Sequence, residues 1–297
     1  KLQNPNILIK DDEIILSKLD LFLPLRSFFT SDFLLKRAEV AFIKNDIKDL
    51  TKITNIFLPK IINKQLNKIF AEGNLEGKFI IPFESDGKIA NDYGFSGKVS
   101  DATINLSKEF SVKNLTTEIN HVKNDGANKF EVIIKNGSIY DLKLSGTKIN
   151  LKREKDEIEI RSFLQTNGKL DFSQIKKVTS LYGLNTDNLK DINATVELKT
   201  NINFDLNKRF EVKNLSYSTE GNIAHIEIHV GQKRIIKEYL PEFDSKITLK
   251  DTSIKLVNSK LSHTLALGGF IKVKEHFDSF QIKEIYNYGK KSFNVNG

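Results

Sequence analysis

The sequence predicts a mainly β protein: a long, twisted antiparallel sheet curved into a groove or an open, barrel-like solenoid, with a few short amphipathic helices. Three observations carry this expectation. Apolar residues recur with period two over long stretches, as strands with one buried face require. Asp86-Gly87, Asp125-Gly126, Asn136-Gly137 and Asn167-Gly168 punctuate those stretches, and such pairs suit tight hairpins because both central residues tolerate positive φ. Helical periodicity is confined to a few short segments. Parallel strands buried on both faces would read as continuous apolar runs instead.

The clearest element is "DINATVELKTNINFDLN", residues 191–207. Ile192, Ala194, Val196, Leu198, Ile202, Phe204 and Leu206 occupy even positions, every odd position is polar, and only Thr200 interrupts the even row. As one strand it would extend roughly 55 Å at ~3.3 Å per residue, far beyond the usual length of about 3–10 residues. The odd row, with Glu197, Lys199 and Asp205, is expected to face water. Shorter alternating runs occur at Leu34–Phe42, Phe79–Phe83, Ala102–Val112, Ala224–Val230 and Leu265–Val273.

The main helical signal is "NDIKDLTKITNIF" at 45–57, with Ile47, Leu50, Ile53, Thr54 and Phe57 on one stripe and Asn45 or Asp46 as cap. Pro59 interrupts it and Gly73 stops it, so a two-part helix is expected over 46–71. Shorter helices are expected at 173–183 and 232–242. An internal echo links "INLSKEFSVKNLT" (104–116) to "FDLNKRFEVKNLS" (204–216), as stacked sheet units would give. The chain reads as one continuous β segment with approximate sub-units 1–72, 73–190 and 191–297.

Composition narrows the function classes. Of 297 residues none is Met, Cys or Trp, while Phe numbers 21. Without Met the chain is expected to be a piece of a longer protein, and without Cys it has no disulfide, thiolate metal site or Cys nucleophile. The net charge of +8 rests on Lys, with Arg only at 26, 37, 153, 161, 209 and 234. Nucleic-acid readers lean on Arg for bidentate contacts, and these lysines alternate with Asp, Glu and Asn, so no nucleic-acid partner is expected. No run of about 18 apolar residues exists to span a bilayer as a helix.

No phosphate-binding, dinucleotide-binding, nucleophile-elbow or zincin motif occurs, so neither enzymatic activity nor a cofactor is expected. The best metal candidate is "HIEIH", with His225, Glu227 and His229 on one strand face. Its two His would stand roughly 13 Å apart at Cα, too far for one zinc ion with bonds of about 2.0–2.1 Å. No metal site is therefore expected.

Residues 17–57, "SKLDLFLPLRSFFTSDFLLKRAEVAFIKNDIKDLTKITNIF", run strand, polar link, alternating strand, amphipathic helix. This order, with "GKIANDYGFSGKVSDATINL" and the two "VKNL" units, resembles the AsmA-like superfamily of diderm bacteria, especially its large YhdP/TamB-type members. The resemblance implies a periplasmic protein held in the inner membrane by an N-terminal anchor missing from this chain. It also implies a β-groove that carries phospholipid or other acyl chains between the membranes for outer-membrane biogenesis. The expected lining is Ala102, Ile104, Leu106, Phe110 and Val112, the row from Ile192 to Leu206, and Phe210 and Val212. Two other readings stand beside it: a surface adhesin or polysaccharide-binding β-solenoid, and a structural β-sandwich with a filled core.

Overall fold

The computed structural model describes residues 2–3, 6–9, 12–29, 34–50, 68–90, 94–106, 110–124, 127–154, 157–181, 189–209, 211–230, 246–272, 275–287 and 289–297. The expectation of a mainly β, antiparallel chain holds, with seventeen strands among the described residues. The chain divides into two compact units, Lys1–Gly137 with Asn150–Glu154, and Ser138–Ile149 with Lys155–Gly297.

The first unit contains β1 (Leu2–Gln3), β2 (Asn6–Ile9), β3 (Asp12–Phe22), β4 (Arg37–Asp46), β5 (Phe70–Pro82), β6 (Gly94–Asn105), β7 (Ser111–Asn124) and most of β8 (Ala127–Ile139). From β2 onward each strand is hydrogen-bonded to the next, a simple meander. A 3-10 turn, Leu25–Phe28, links β3 to β4. Leu16 and Phe42 form the buried centre, with Val40, Leu50, Leu75, Phe79 and Phe95 packed around them. Phe42, Phe79 and Phe95 make a ring cluster with centroids 4.7–6.4 Å apart. Gly77 and Gly97 face each other across β5 and β6, and a Cβ on Gly97 would come within 2.7 Å of the Phe95 ring. These two glycines therefore seat the ring on bare backbone.

The second unit contains β9 (Leu142–Leu144), β11 (Glu157–Leu170), helix α1 (Phe172–Leu181), β12 (Leu189–Leu206), β13 (Val212–Val230), β14 (Lys246–Asn258), β15 (Ser262–Lys272), β16 (Phe277–Asn287) and β17 (Lys290–Asn296). β10 (Thr147–Glu154) straddles the division. β9 pairs with β11, and from β11 to β17 each strand is antiparallel to the next. The stretch 191–207 is indeed a single strand to Leu206, within 18 residues of β12, and β13 runs for 19. Leu142, Leu170, Ala194, Val196 and Ile223 are its buried centre, and Ile175 of α1 packs on them.

Helix α1 starts one residue earlier than expected because Asp171 caps it. The Asp171 carboxylate accepts from Gln174 N–H at 2.9 Å and from Ser173 Oγ at 2.8 Å, while Gln174 Oε1 accepts from Asp171 N–H at 3.2 Å. This reciprocal pair is a capping box. Asp46 fills the same role ahead of the helical residues 47–50, its Oδ1 accepting from Lys48 N–H at 2.7 Å. Of the expected helix over 46–71, residues 47–50 and 68–69 are helical, Asp46 belongs to β4, Phe70 and Ala71 belong to β5, and 51–67 lie outside the described residues. The helix expected at 232–242 also lies outside them.

The turn expectations divide. Asp86-Gly87 forms the expected turn: Gly87 has φ +81°, and Lys88 N–H donates to Asp86 Oδ1 at 3.1 Å. Asn136-Gly137 and Asn167-Gly168 are instead inside β8 and β11. At Gly168 (φ +150°) a Cβ would collide with the Asp141 carbonyl oxygen, so this glycine permits close backbone approach and does not reverse the chain. Asp125-Gly126 lies outside the described residues. The run Ala102–Val112 is not one strand either. It breaks into β6 and β7, with Leu106 N–H donating to Phe110 O at 2.8 Å between them.

The echoed segments share a backbone device. Each is a hairpin whose second strand opens "VKNL", and in both the Asn is left-handed: Asn114 at φ +51° and Asn214 at φ +52°. Register shifts between Val99/Ala102 and Ala102/Ile104 in the first unit, and between Asn203/Asp205 in the second, accompany them. Asn tolerates this region, whereas a β-branched residue does not. Replacing Asn114 by Val is expected to lower the melting temperature through a loss of about 1–3 kcal/mol. Asn114→Gly should melt close to the parent. Thermal unfolding of the two variants checks this, and equal melting temperatures would contradict it.

Candidate functional site

β12 displays the alternation that the sequence promised. Ile192, Ala194 and Val196 are 5–6% exposed, Leu198, Ile202, Phe204 and Leu206 are half-buried, and Glu197 and Lys199 are exposed. Asp205 departs from the wet row by being half-buried, and its Oδ2 accepts from Asn214 Nδ2 at 2.7 Å. The interruption at Thr200 has a partner on the same face, the Thr219 hydroxyl at 3.0 Å on β13.

Pairing turns this row into a field. Leu198 is in register with Gly221, Gly221 with Ile254, Ile254 with Leu267, Leu267 with Ile282 and Ile282 with Val295. Sequence parity alone misses one adjustment. Thr195 pairs with His225 but Val196 pairs with Ile223, so Ala224 is the extra residue of a bulge. The bulge brings Ile223 and Ile226 to the same core cluster although their numbers differ in parity.

Burial along this face is uneven. The cluster of Leu142, Leu170, Ala194, Val196 and Ile223 sits beneath Ile175 of α1. Away from the helix, apolar side chains are left partly or largely open, with Phe293 at 57% and Val295 at 59% exposure on β17. In the first unit Ala102 and Val112 are buried, Ile104 and Phe110 are half-buried, and Leu106 is 61% exposed. Val212 is 56% exposed where β13 begins, and Phe210 lies outside the described residues.

The opposite face of the second unit holds an open cavity of about 700 Å³. Its rows are Lys199, Glu220, Lys255 and Lys283 beside Glu197, Asn222 and Gln281. The floor is low because Ala266 stands between Lys255 and Lys283 and Gly268 between Ser253 and Gln281. No aromatic side chain lines it, so it lacks the platform on which sugars or bases stack.

Glu227 of the "HIEIH" segment is engaged by Lys246 at 2.7 Å, with His225 Nε2 at 3.6 Å. Lys246 bonding, with His225 as a lesser cause, holds the Glu227 carboxyl below its ordinary value. Hydrogen bonds from Lys78 do the same for Glu39, helped by Arg37, and those from Lys291 and then His263 for Glu284. Among the described residues no group of three or more His, Asp or Glu is placed to hold a metal ion. No described helix is long and apolar enough to cross a membrane. No family model, curated protein or solved structure matches the chain.

Two expectations follow. Val196→Asp places an unpaired charge inside the cluster beneath α1 and should cost about 3 kcal/mol or more, whereas Lys199→Asp on the exposed row should melt near the parent. Equal melting curves would show that Val196 is not packed as described. The three carboxyls bind protons less readily folded than unfolded, so their contribution is complete above the ordinary Glu value of 4.5 and is lost as pH falls through the lower folded values. The melting temperature should hold steady from neutral pH to about 5 and drop below that. A profile that is flat down to pH 3 would contradict the assignment.

Proposed function

We propose that the apolar face of the sheet carries acyl chains, and that this chain is a segment of a bridge-like lipid transport protein of the AsmA-like type. In that role it works in the periplasm, with the full-length protein anchored in the inner membrane, and moves phospholipid tails without enzymatic chemistry or cofactor. The observation that carries the reading is the mismatch on β12. Its apolar row is unbroken in chemistry apart from Thr200, yet it is fully buried only at Ile192, Ala194 and Val196 and half-buried from Leu198 to Leu206. A row of that kind favours an apolar occupant. Each buried CH₂ contributes ~0.8 kcal/mol, so a sixteen-carbon chain would be held by on the order of 10 kcal/mol against escape into water. Sliding along equivalent apolar side chains changes that energy little.

The second reading is a structural β protein with a self-filled core, and the buried cluster under Ile175 favours it. Native mass spectrometry of the purified chain separates the two. Phospholipid is expected to co-purify, and Phe204→Asp, on the half-buried part of the row, should carry less of it while melting within a few degrees of the parent. A chain that emerges free of lipid, with Phe204→Asp melting as far down as Val196→Asp, would establish the filled core instead.

A further inference from the structure

The apolar face of the second unit has a polar border. In the row next to the Thr200–Thr219 pair, Tyr217 is in register with Asn258, Asn258 with His263, His263 with Tyr286 and Tyr286 with Lys291. One row inward, Glu284 stands between Leu265 and Phe293. One row further, the field is apolar, with Ile254, Leu267, Ile282 and Val295. Polarity therefore rises over three adjacent rows of one face, two residues apart on each strand.

The charged groups of the border are linked. Glu284 Oε1 lies 3.0 Å from Lys291 Nζ and 3.2 Å from His263 Nε2. The His263 ring stacks on Tyr286 at 5.1 Å and 12°, which holds the imidazole beside the carboxylate. The Glu284 side chain is 19% exposed and that of Lys291 62%. A carboxylate is thus held at the inner edge, while the ammonium that neutralises it belongs to a side chain that is largely exposed. A carboxylate this close to an apolar field needs a cation beside it.

Resting on the lipid-carrying reading, we infer that Glu284, Lys291 and His263 form a headgroup site selective for a zwitterionic phospholipid with a primary amine, of the phosphatidylethanolamine class. The tail lies on the rows of Leu267 and Ile282. The lipid ammonium donates to Glu284 in place of Lys291, and Lys291 swings to the lipid phosphate, with His263 beside it. Every charge keeps a partner through the exchange. A choline head brings a cation without N–H donors and cannot hydrogen-bond Glu284. An anionic glycerol head brings its phosphate near Glu284 with no cation to replace Lys291, and like charges repel.

The test is native mass spectrometry of the whole chain in detergent with equal amounts of phosphatidylethanolamine, phosphatidylcholine and phosphatidylglycerol sharing one pair of acyl chains. The ethanolamine lipid should be bound about tenfold over the glycerol lipid. Glu284→Gln should abolish that preference, and Glu284→Lys should reverse it. Lys291→Gln, at an exposed position, should weaken all three lipids but leave diacylglycerol binding unchanged. Lipids bound equally by the parent and by Glu284→Gln would overturn the headgroup site and leave the acyl-chain reading standing. Failure of every lipid, diacylglycerol included, would overturn both.

Discussion

A sheet that is apolar on one side only cannot leave that side to water, and the rest of the structure follows from this constraint. Period-two alternation makes each strand half oily. Antiparallel pairing then aligns the oily halves into one continuous face, because partners in register point the same way. What remains is the question of cover. Near β12 the chain supplies its own: α1, started by the reciprocal Asp171–Gln174 hydrogen bonds, lowers Ile175 onto Ala194, Val196 and their neighbours. In the first unit Leu50 packs over Leu16 and Phe42 in the same manner. Farther from these lids the apolar side chains are only partly withdrawn from solvent.

The two faces of β12 to β17 differ in more than hydropathy. On the wet face Lys and Glu alternate with amides, and Ala266 lowers the surface between Lys255 and Lys283 as Gly268 does between Ser253 and Gln281. On the dry face one charged group at the border is bonded, with Glu284 held by Lys291 and His263. Isolated charge on the dry face would need its own compensation. Grouping it at the border satisfies that need and leaves the inner rows uniform.

Much of this was legible in the sequence. The alternation at 191–207 placed the side chains of residues 192–206 on their proper faces apart from the partial withdrawal of Asp205, because period two depends on nothing but strand geometry. Turns were harder. Asn167-Gly168 has the composition of a hairpin turn, yet Gly168 sits mid-strand because the Asp141 carbonyl occupies the space a Cβ would need. That cause lies 27 residues away, at Asp141, and leaves no local trace. The break between β6 and β7 was hidden because Leu106, Phe110 and Val112 keep even parity through the loop. Ala224 hid the opposite way, its bulge changing parity inside one strand. The polar border was invisible in principle: Tyr217, His263, Tyr286 and Lys291 become neighbours only once five strands are aligned.

The meander from β12 to β17 has one more property, which belongs to its arithmetic. Two consecutive strands return the chain to its starting edge, pointing in its starting direction, with oily and wet sides unchanged. A hairpin is therefore a module that can be inserted or deleted without inverting anything downstream. Each adds about 10 Å of width, two interstrand spacings of about 4.8 Å. The left-handed Asn recurs at 114 and at 214, each near the start of the second strand of a hairpin. A protein built this way has a ruler in its gene: its reach is set by the number of hairpins, and selection can lengthen or shorten it without redesigning the surface it presents.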